Sequence, residues 1–252
     1  MRSKAIRWLP AIPLLVAAFP AGADDVDNGT DPTLLSTSVG IQAKHSGLLA
    51  GRSSALFEAF YTQPFGEPKT MALGVTLPFA SGPVDKSFGL GDVAVKFTHV
   101  PVVTKTWGLA YSAELVTDTA VRADLGSGQT SAKVSGFYAR FLENGDILAP
   151  AVVQQVTLGD PDRGRSRINT TTLDFYYVPK FSDPRFFVTF DPAVVFDWRR
   201  DATYGSLTTT VGMMTGKVFG GAGQVYFKPQ ILVGGLRPAD WSMQVGVKVL
   251  GF

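Results

Sequence analysis

Along most of this chain, apolar and polar residues take turns. In 240–252 (DWSMQVGVKVLGF), Trp241, Met243, Val245, Val247 and Val249 share one side, and Ser242, Gln244, Gly246 and Lys248 the other. A period of two puts successive side chains on opposite faces of a β-strand, whereas a helix would scatter them around its circumference. The same rhythm runs through Leu35, Thr37, Val39 and Ile41, opposed by Ser36, Ser38, Gly40 and Gln42. It returns in Met71–Leu73–Val75–Leu77–Phe79, in Val93–Val95–Phe97 and in Trp107–Leu109–Tyr111 with Leu115. Later it appears in Leu173–Phe175–Tyr177, in Phe186–Val188–Phe190 with Val194, Phe196 and Trp198, and in Val225–Phe227 with Ile231 and Val233.

The pattern predicts about twelve strands of about 10–13 residues. Strands of globular sheets are nearer five or six, while a tilted strand that crosses a bilayer needs about 9–11. The expected connections alternate. Longer polar loops fall near 46–51, 80–90, 118–128, 159–167, 199–205 and 235–239, and tighter turns near 63–68, 101–105, 143–145, 182–184 and 220–222. An even strand count with long loops at one end and short turns at the other is the arrangement of a transmembrane β-barrel. The fold expected is therefore all-β, a closed antiparallel transmembrane barrel. Pro150, Pro192 and Pro229 interrupt predicted strands. A closed barrel has no edge on which to hide a missing N–H, so bulges or strand breaks are expected there.

The ends of the chain sharpen this. Arg2, Lys4 and Arg7 precede an apolar run, Trp8 to Pro20, and a small-residue site, Ala21-Gly22-Ala23. This reads as a secretory signal peptide over 1–23, leaving 24–252 as the barrel. A long two-faced strand ending on Phe252, behind such a signal, resembles the closing strand of a bacterial outer-membrane barrel. In that class the assembly machinery reads the terminal aromatic residue. Strand parity puts Phe252 on the polar face, so a register reset near Gly251 is expected unless the signal departs from the class.

Composition removes several alternatives. Loss of Arg2, Lys4 and Arg7 takes the 23 basic residues to 20 against 21 acidic ones, a near-neutral chain with no call for a nucleic-acid partner. With no cysteine there are no disulfides, thiolate metal sites or lipid-modified Cys. No mature segment has about 18 consecutive apolar residues, so a membrane-embedded chain must be a closed barrel, in which every backbone polar group is paired. A soluble periplasmic β-sandwich is the alternative fold.

Chemistry is sparse. The polar face carries Lys44, Glu58, Asp92, Lys96, Glu114, Lys133, Asp174, Lys180, Asp191, Asp197, Lys228 and Lys248. In a barrel this face is the lumen. Of these, Asp92, Lys96, Glu114, Asp174, Asp191, Asp197, Lys228 and Lys248 are the candidate lumen-lining residues. Such charges either select solutes in a pore or pair into a filling that only holds a narrow barrel together. His45-Ser46 leaves an outer-membrane lipid hydrolase as an alternative, but no nucleophile motif supports it, and no catalytic residue is assigned. Two histidines without clustered carboxylates call for no metal site, and no cofactor is implied. Gly89-Leu90-Gly91-Asp92 precedes a strand rather than a helix and so is no phosphate cradle. Trp107, Trp198, Trp241, Tyr61, Tyr111 and Tyr204 suit an interfacial aromatic girdle. Arg163, Arg165, Arg167, Arg199 and Arg200 could meet lipopolysaccharide phosphates, although solvated loop charge is the commoner role.

Several local elements resemble a known family. They are Gly89-Leu90-Gly91-Asp92-Val93, Asp191-Pro192 with Asp197-Trp198, Val211-Gly212, Gly216-Lys217-Val218-Phe219, Lys228-Pro229, Arg237-Pro238 and Asp240-Trp241. In order and spacing the chain is similar to the Gram-negative outer-membrane family labelled "MetA-pathway of phenol degradation", also called transporter or neuromedin-U-like proteins. The likeness is densest over about the last seventy residues. The resemblance implies an outer-membrane barrel that passes solutes, sometimes in aromatic-compound catabolism, and it brings no catalytic residues. The combined expectation is a monomeric outer-membrane barrel, not an enzyme, acting as a passive channel for small solutes, hydrophobic or aromatic ones among them. Its partners would be membrane lipid, lipopolysaccharide, the assembly machinery and a small-molecule solute. A plugged structural or surface-binding barrel is the rival reading.

Overall fold

The computed structural model describes residues 28–83 and 86–252. The expected signal peptide lies outside the described residues. The strands are β1 (Ser38–Gly47), β2 (Ser53–Phe65), β3 (Met71–Ser81), β4 (Phe88–Leu90), β5 (Ala94–Val103), β6 (Trp107–Val116) and β7 (Ser131–Phe141). They continue as β8 (Ile147–Thr157), β9 (Asn169–Val178), β10 (Phe186–Asp197), β11 (Ala202–Val218), β12 (Gly221–Gly234) and β13 (Trp241–Leu250). Each pairs antiparallel with its chain neighbour, and β1 also pairs with β13, from Ser38↔Leu250 to Gly47↔Trp241, which closes the sheet. The short β4 and the long β5 both pair with β3, as one strand interrupted at 91–93. The wall is thus a closed barrel of twelve strands. No helix among the described residues is long and apolar enough to cross a membrane.

The two faces are inverted relative to a soluble protein. Phe186, Phe190, Phe227, Val211, Val245 and Met243 are exposed, while Ser112, Ser131, Thr189, Thr208, Gln224 and Ser242 are buried. The exposed set occupies the outward parity of each strand and the buried polar set the inward parity. In water each large apolar side chain left outside would forgo roughly 1.5–3 kcal/mol, so this belt is built for lipid. Closure is what makes the lipid tolerable, because no unpaired strand edge is left in it.

Aromatic residues gather near the strand ends. Trp107 stacks on Tyr138 with centroids 6.0 Å apart, Trp198 on Phe196 at 5.9 Å, and Trp241 tilts over His45 at 5.7 Å. Tyr204 departs from the expected girdle: its partner Val195 has inward parity, so it faces the lumen.

Pro150, Pro192 and Pro229 do not make bulges. The β8–β9 register runs unbroken through Pro150↔Phe175, while β7–β8 pairing lapses between Phe137↔Ala151 and Arg140↔Leu148 without shifting. Pro192 opens the same kind of gap toward β9 and Pro229 toward β11, each keeping its other ladder. In an antiparallel sheet one residue bonds to one neighbour only, so a missing N–H costs a bond on one side alone. The register shifts that do occur lie between His99 and Val102, at Pro101 in β5, and between Met214 and Gly216 in β11.

Glycines on the inner face admit aromatic rings from the next strand. A Cβ at Gly40 would overlap Phe60, one at Gly212 would overlap Phe187, and one at Gly246 would overlap Tyr226. At the chain end, Gly251 (φ +66°) leaves the strand and donates to Thr37 O at 2.8 Å, so Phe252 stands outside the ladder and the parity of β13 does not extend to it.

Candidate functional site

The lumen wall is a network of short polar bonds between neighbouring strands. Gln42 on β1 accepts from Tyr226 Oη (2.6 Å) and Gln244 Nε2 (2.7 Å), and donates to Glu58 Oε2 (2.6 Å), joining β12, β13, β1 and β2. On the opposite wall Lys133 Nζ meets Glu114 Oε1 at 2.8 Å, and Ser112 bonds Ser135 at 2.7 Å. These residues come together because strand pairing sets like-parity positions side by side.

The charged residues singled out from the sequence separate into groups. Lys96 lies register-opposite Glu114, which in turn lies opposite Lys133, so three strands carry a plus–minus–plus row. Asp174 and Asp191 face the lumen from the neighbouring strands β9 and β10, diagonal to each other: Asp174 pairs with Ala193, and the Phe190↔Tyr177 pair sets Asp191 beside Tyr176. Asp174 Oδ1 is buried without a hydrogen-bond partner among the described residues. Lys248 Nζ stands beside Gly29.

Two of the eight candidates do other work. Asp92 lies between β4 and β5 and accepts from Ala120 N (3.1 Å), Ser127 N (2.6 Å) and Ser127 Oγ (2.9 Å), anchoring the 117–130 loop. Asp197 caps the turn after β10, accepting from Arg199 N (3.0 Å) and Arg200 N (3.1 Å), with Arg200 Nε at 3.7 Å. Lys180 is not on a strand at all. It sits in the turn after β9, its N–H on Asp146 Oδ1.

The loop arginines are largely engaged: Arg167 pairs with Asp160 and Arg165 donates to Ala123 O. His45 and Ser46 point to opposite faces, His45 outward against Trp241 and Ser46 inward and buried, so they cannot act as a hydrolytic pair.

The feature sequence periodicity could not reveal is a strap. Residues 28–37 precede β1 and run inside the end of the barrel that carries the short turns. Gln224 Nε2 on β12 donates to Asn28 O (2.6 Å), and Tyr176 Oη on β9 donates to Thr30 O (3.1 Å). Thr33 lies against Gly108 on β6, six strands from β12 around a twelve-strand wall. The segment therefore crosses the mouth from side to side. It is stiffened from within. Asn28 Oδ1 accepts from Thr30 N (3.1 Å) and Thr30 Oγ1 (2.6 Å), and Asp31 Oδ1 from Thr33 N (2.8 Å) and Thr33 Oγ1 (2.7 Å). Short side chains turning back on their own backbone make such turns. At this end of the wall several inward side chains are small and buried, Ala72, Ala110, Ala139 and Ala149 all at 3% exposure or less, and they leave the strap room.

No family model and no curated protein matches the chain. Solved structures do. It is similar to the COG4313 outer membrane channel from Pseudomonas putida F1, with a TM-score of 0.70 and 13% identity over 89% of this chain and 99% of that one. It is also similar to the KdgM porin, solved with oligogalacturonate (TM-score 0.58, 10% identity, 84% and 98% covered). The NanC porin follows, with TM-score 0.54 and 11% identity over 84% and 98%. The fold is that of outer-membrane channel and porin barrels, and the protein is an outer-membrane barrel.

Proposed function

We propose that this protein is a passive channel for small solutes across the outer membrane, in the manner of the "MetA-pathway of phenol degradation" family it resembles in sequence. The observation that carries this reading is the middle of the inner face, where Gln42, Glu58, Ser112, Glu114, Lys133, Ser135 and Gln244 form a polar lining that suits a water-bearing path. Lys96, Glu114, Asp174, Asp191, Lys228 and Lys248 line that path. Phe60 and Tyr226, half-buried on the same face, favour solutes with an apolar or aromatic part. Lipid and lipopolysaccharide cover the apolar belt. The protein works as a monomer, without catalysis.

A second reading has one observation in its favour. The strap across the turn-bearing mouth is what a plugged structural barrel would carry.

Current through a planar bilayer decides between them, provided its route is identified. Ser135 has inward and Val134 outward parity on β7. Modification of Ser135→Cys by a bulky charged thiol reagent is expected to reduce the single-channel current, and modification of Val134→Cys to leave it unchanged. No current from folded protein, or equal effects at both positions, would reject the channel.

A further inference from the structure

One stretch of the lipid-facing wall is hollow. On β1 and β2 the outward positions include Ala43, Ala55 and Ala59, which pair with Phe57, His45 and Ile41 on the same outer face. On β12 the outward position beside Val249 is Gly223. Over these small residues runs a groove of about 510 Å³ with an apolar lining that includes Val39, Ile41, Ala59, Leu77 and Val247. A second hollow, about 630 Å³, continues it farther along the same strands over Ala43, Ala55 and Met243 to His45.

The rim at the turn-bearing end is built by β11. That strand continues to Val218, past Met213 where its ladder with β10 ends, and its register with β12 shifts between Met214 and Gly216. A bulge at a barrel rim re-aims its strand. Thr215 and Val218 lie over Gly223, where an added Cβ would collide with both side chains, and Phe219 extends the rim. Phe219 is 91% exposed and holds a left-handed backbone, φ +48°, at the tip of the hairpin. A large ring bared on a strained turn is matched to apolar surroundings, not to water.

We propose that this trough is a binding site for one inner-leaflet phospholipid, an acyl chain lying along β1 and β2 under the Phe219 rim and the phosphate meeting Lys217. From Val39 to His45 the trough runs about 20 Å along β1. On a strand tilted about 40° that is about 15 Å of depth, half of a hydrocarbon core about 30 Å thick. The trough begins at the end with the short turns, which in barrels of this class faces the periplasm. Lys217 is exposed on the same hairpin tip and makes no ion pair among the described residues. The hollow is continuous with the apolar belt that lipid covers, and its shape selects a slender occupant. A second copy docked across a twofold would set hollow against hollow and fill neither.

The occupant can be weighed directly. Barrel extracted from outer membranes in mild detergent is examined by native mass spectrometry, under activation that strips loosely held lipid. The parent is expected to keep one diacyl phospholipid per chain. Ala59→Trp, which fills the trough from its floor, should lower the retained fraction about fivefold or more. Phe219→Ser, an exchange at an exposed turn that leaves the wall untouched, should lower it too. Val134→Trp, an outward exchange on β7, should leave it unchanged. Lipid-free parent chains, undiminished retention in both trough variants, or an equal loss in Val134→Trp overturn the site. So do lipopolysaccharide retained in place of phospholipid and a lipid-free dimer.

Discussion

The loop 117–130 and the strap 28–37 both fold against an end of the barrel, but they are held by different chemistry. The loop is clamped by one carboxylate, Asp92, on backbone and hydroxyl donors of Ala120 and Ser127. It buries Leu125 against Gly89 and takes further bonds from the β8–β9 loop, where Asp162 N meets Gly128 O at 2.8 Å. The strap turns polar side chains on itself, through Asn28 and Asp31, and its bonds to the wall include those from Gln224, Tyr176 and Gly251. A segment stiff inside moves as one body once its bonds to the wall give way. A segment pinned along its length opens only by local unfolding.

Substitutions can break this contrast or sharpen it. The largest effect is expected in the wall that carries both. Gly212→Leu would collide with Phe187 in the inner layer, and no rotamer shift frees a whole ring. Overpacking there costs about 1–3 kcal/mol or more, and the folded, heat-modifiable form on a gel should largely disappear. Next comes Asp92→Ala, which strands the Ala120 and Ser127 donors. A loss of about 2–3 kcal/mol of local stability is expected, seen as faster amide exchange and protease nicking within 117–130, with thiol labelling of Thr30→Cys in the strap unchanged. Tyr176→Phe removes one strap bond, worth about 1 kcal/mol. Labelling of Thr30→Cys should rise severalfold while the 117–130 loop keeps its protection. Equal loosening of loop and strap by either substitution would erase the distinction.

The smallest effect belongs to the turns. Asp146 accepts from Lys180 N (2.8 Å), Tyr177 Oη (2.7 Å) and Asn144 Nδ2 (2.9 Å). The Lys180 backbone N–H first, then the Tyr177 hydroxyl, hold its carboxyl below the usual carboxylate range. A lowered folded-state value means that its contribution is present above the unfolded value of about 3.9 and is lost as pH falls through the folded one. Exchange at the Lys180 amide should therefore quicken only in that acidic window, and Asp146→Asn should remove the dependence.

The twelve-strand wall could be read from the chain because lipid outside and water inside impose a strict period of two, plainest in β3 and β13. What could not be read has no period. The strap residues Asn28 to Thr33 bond mainly to themselves and to strands far along the chain. Asp92 looked like one more lumen charge, and only the fold brings Ser127 to it. Proline signalled bulges at Pro150, Pro192 and Pro229, yet each sits where a single ladder bond can be dropped. Lys180 continued the alternation of β9 by one step beyond the strand's end. The placing of Asp174 and Asp191 on one face of adjacent strands depends on the β9–β10 register, which neither segment alone discloses.

The most direct measurement is the single-channel current of the barrel lacking residues 28–34, set beside that of the full chain in the same bilayer. A polar lumen crossed by a removable strap predicts discrete conductance steps in both, severalfold larger once the strap is gone. Folded barrels that pass no current with or without those residues would contradict it.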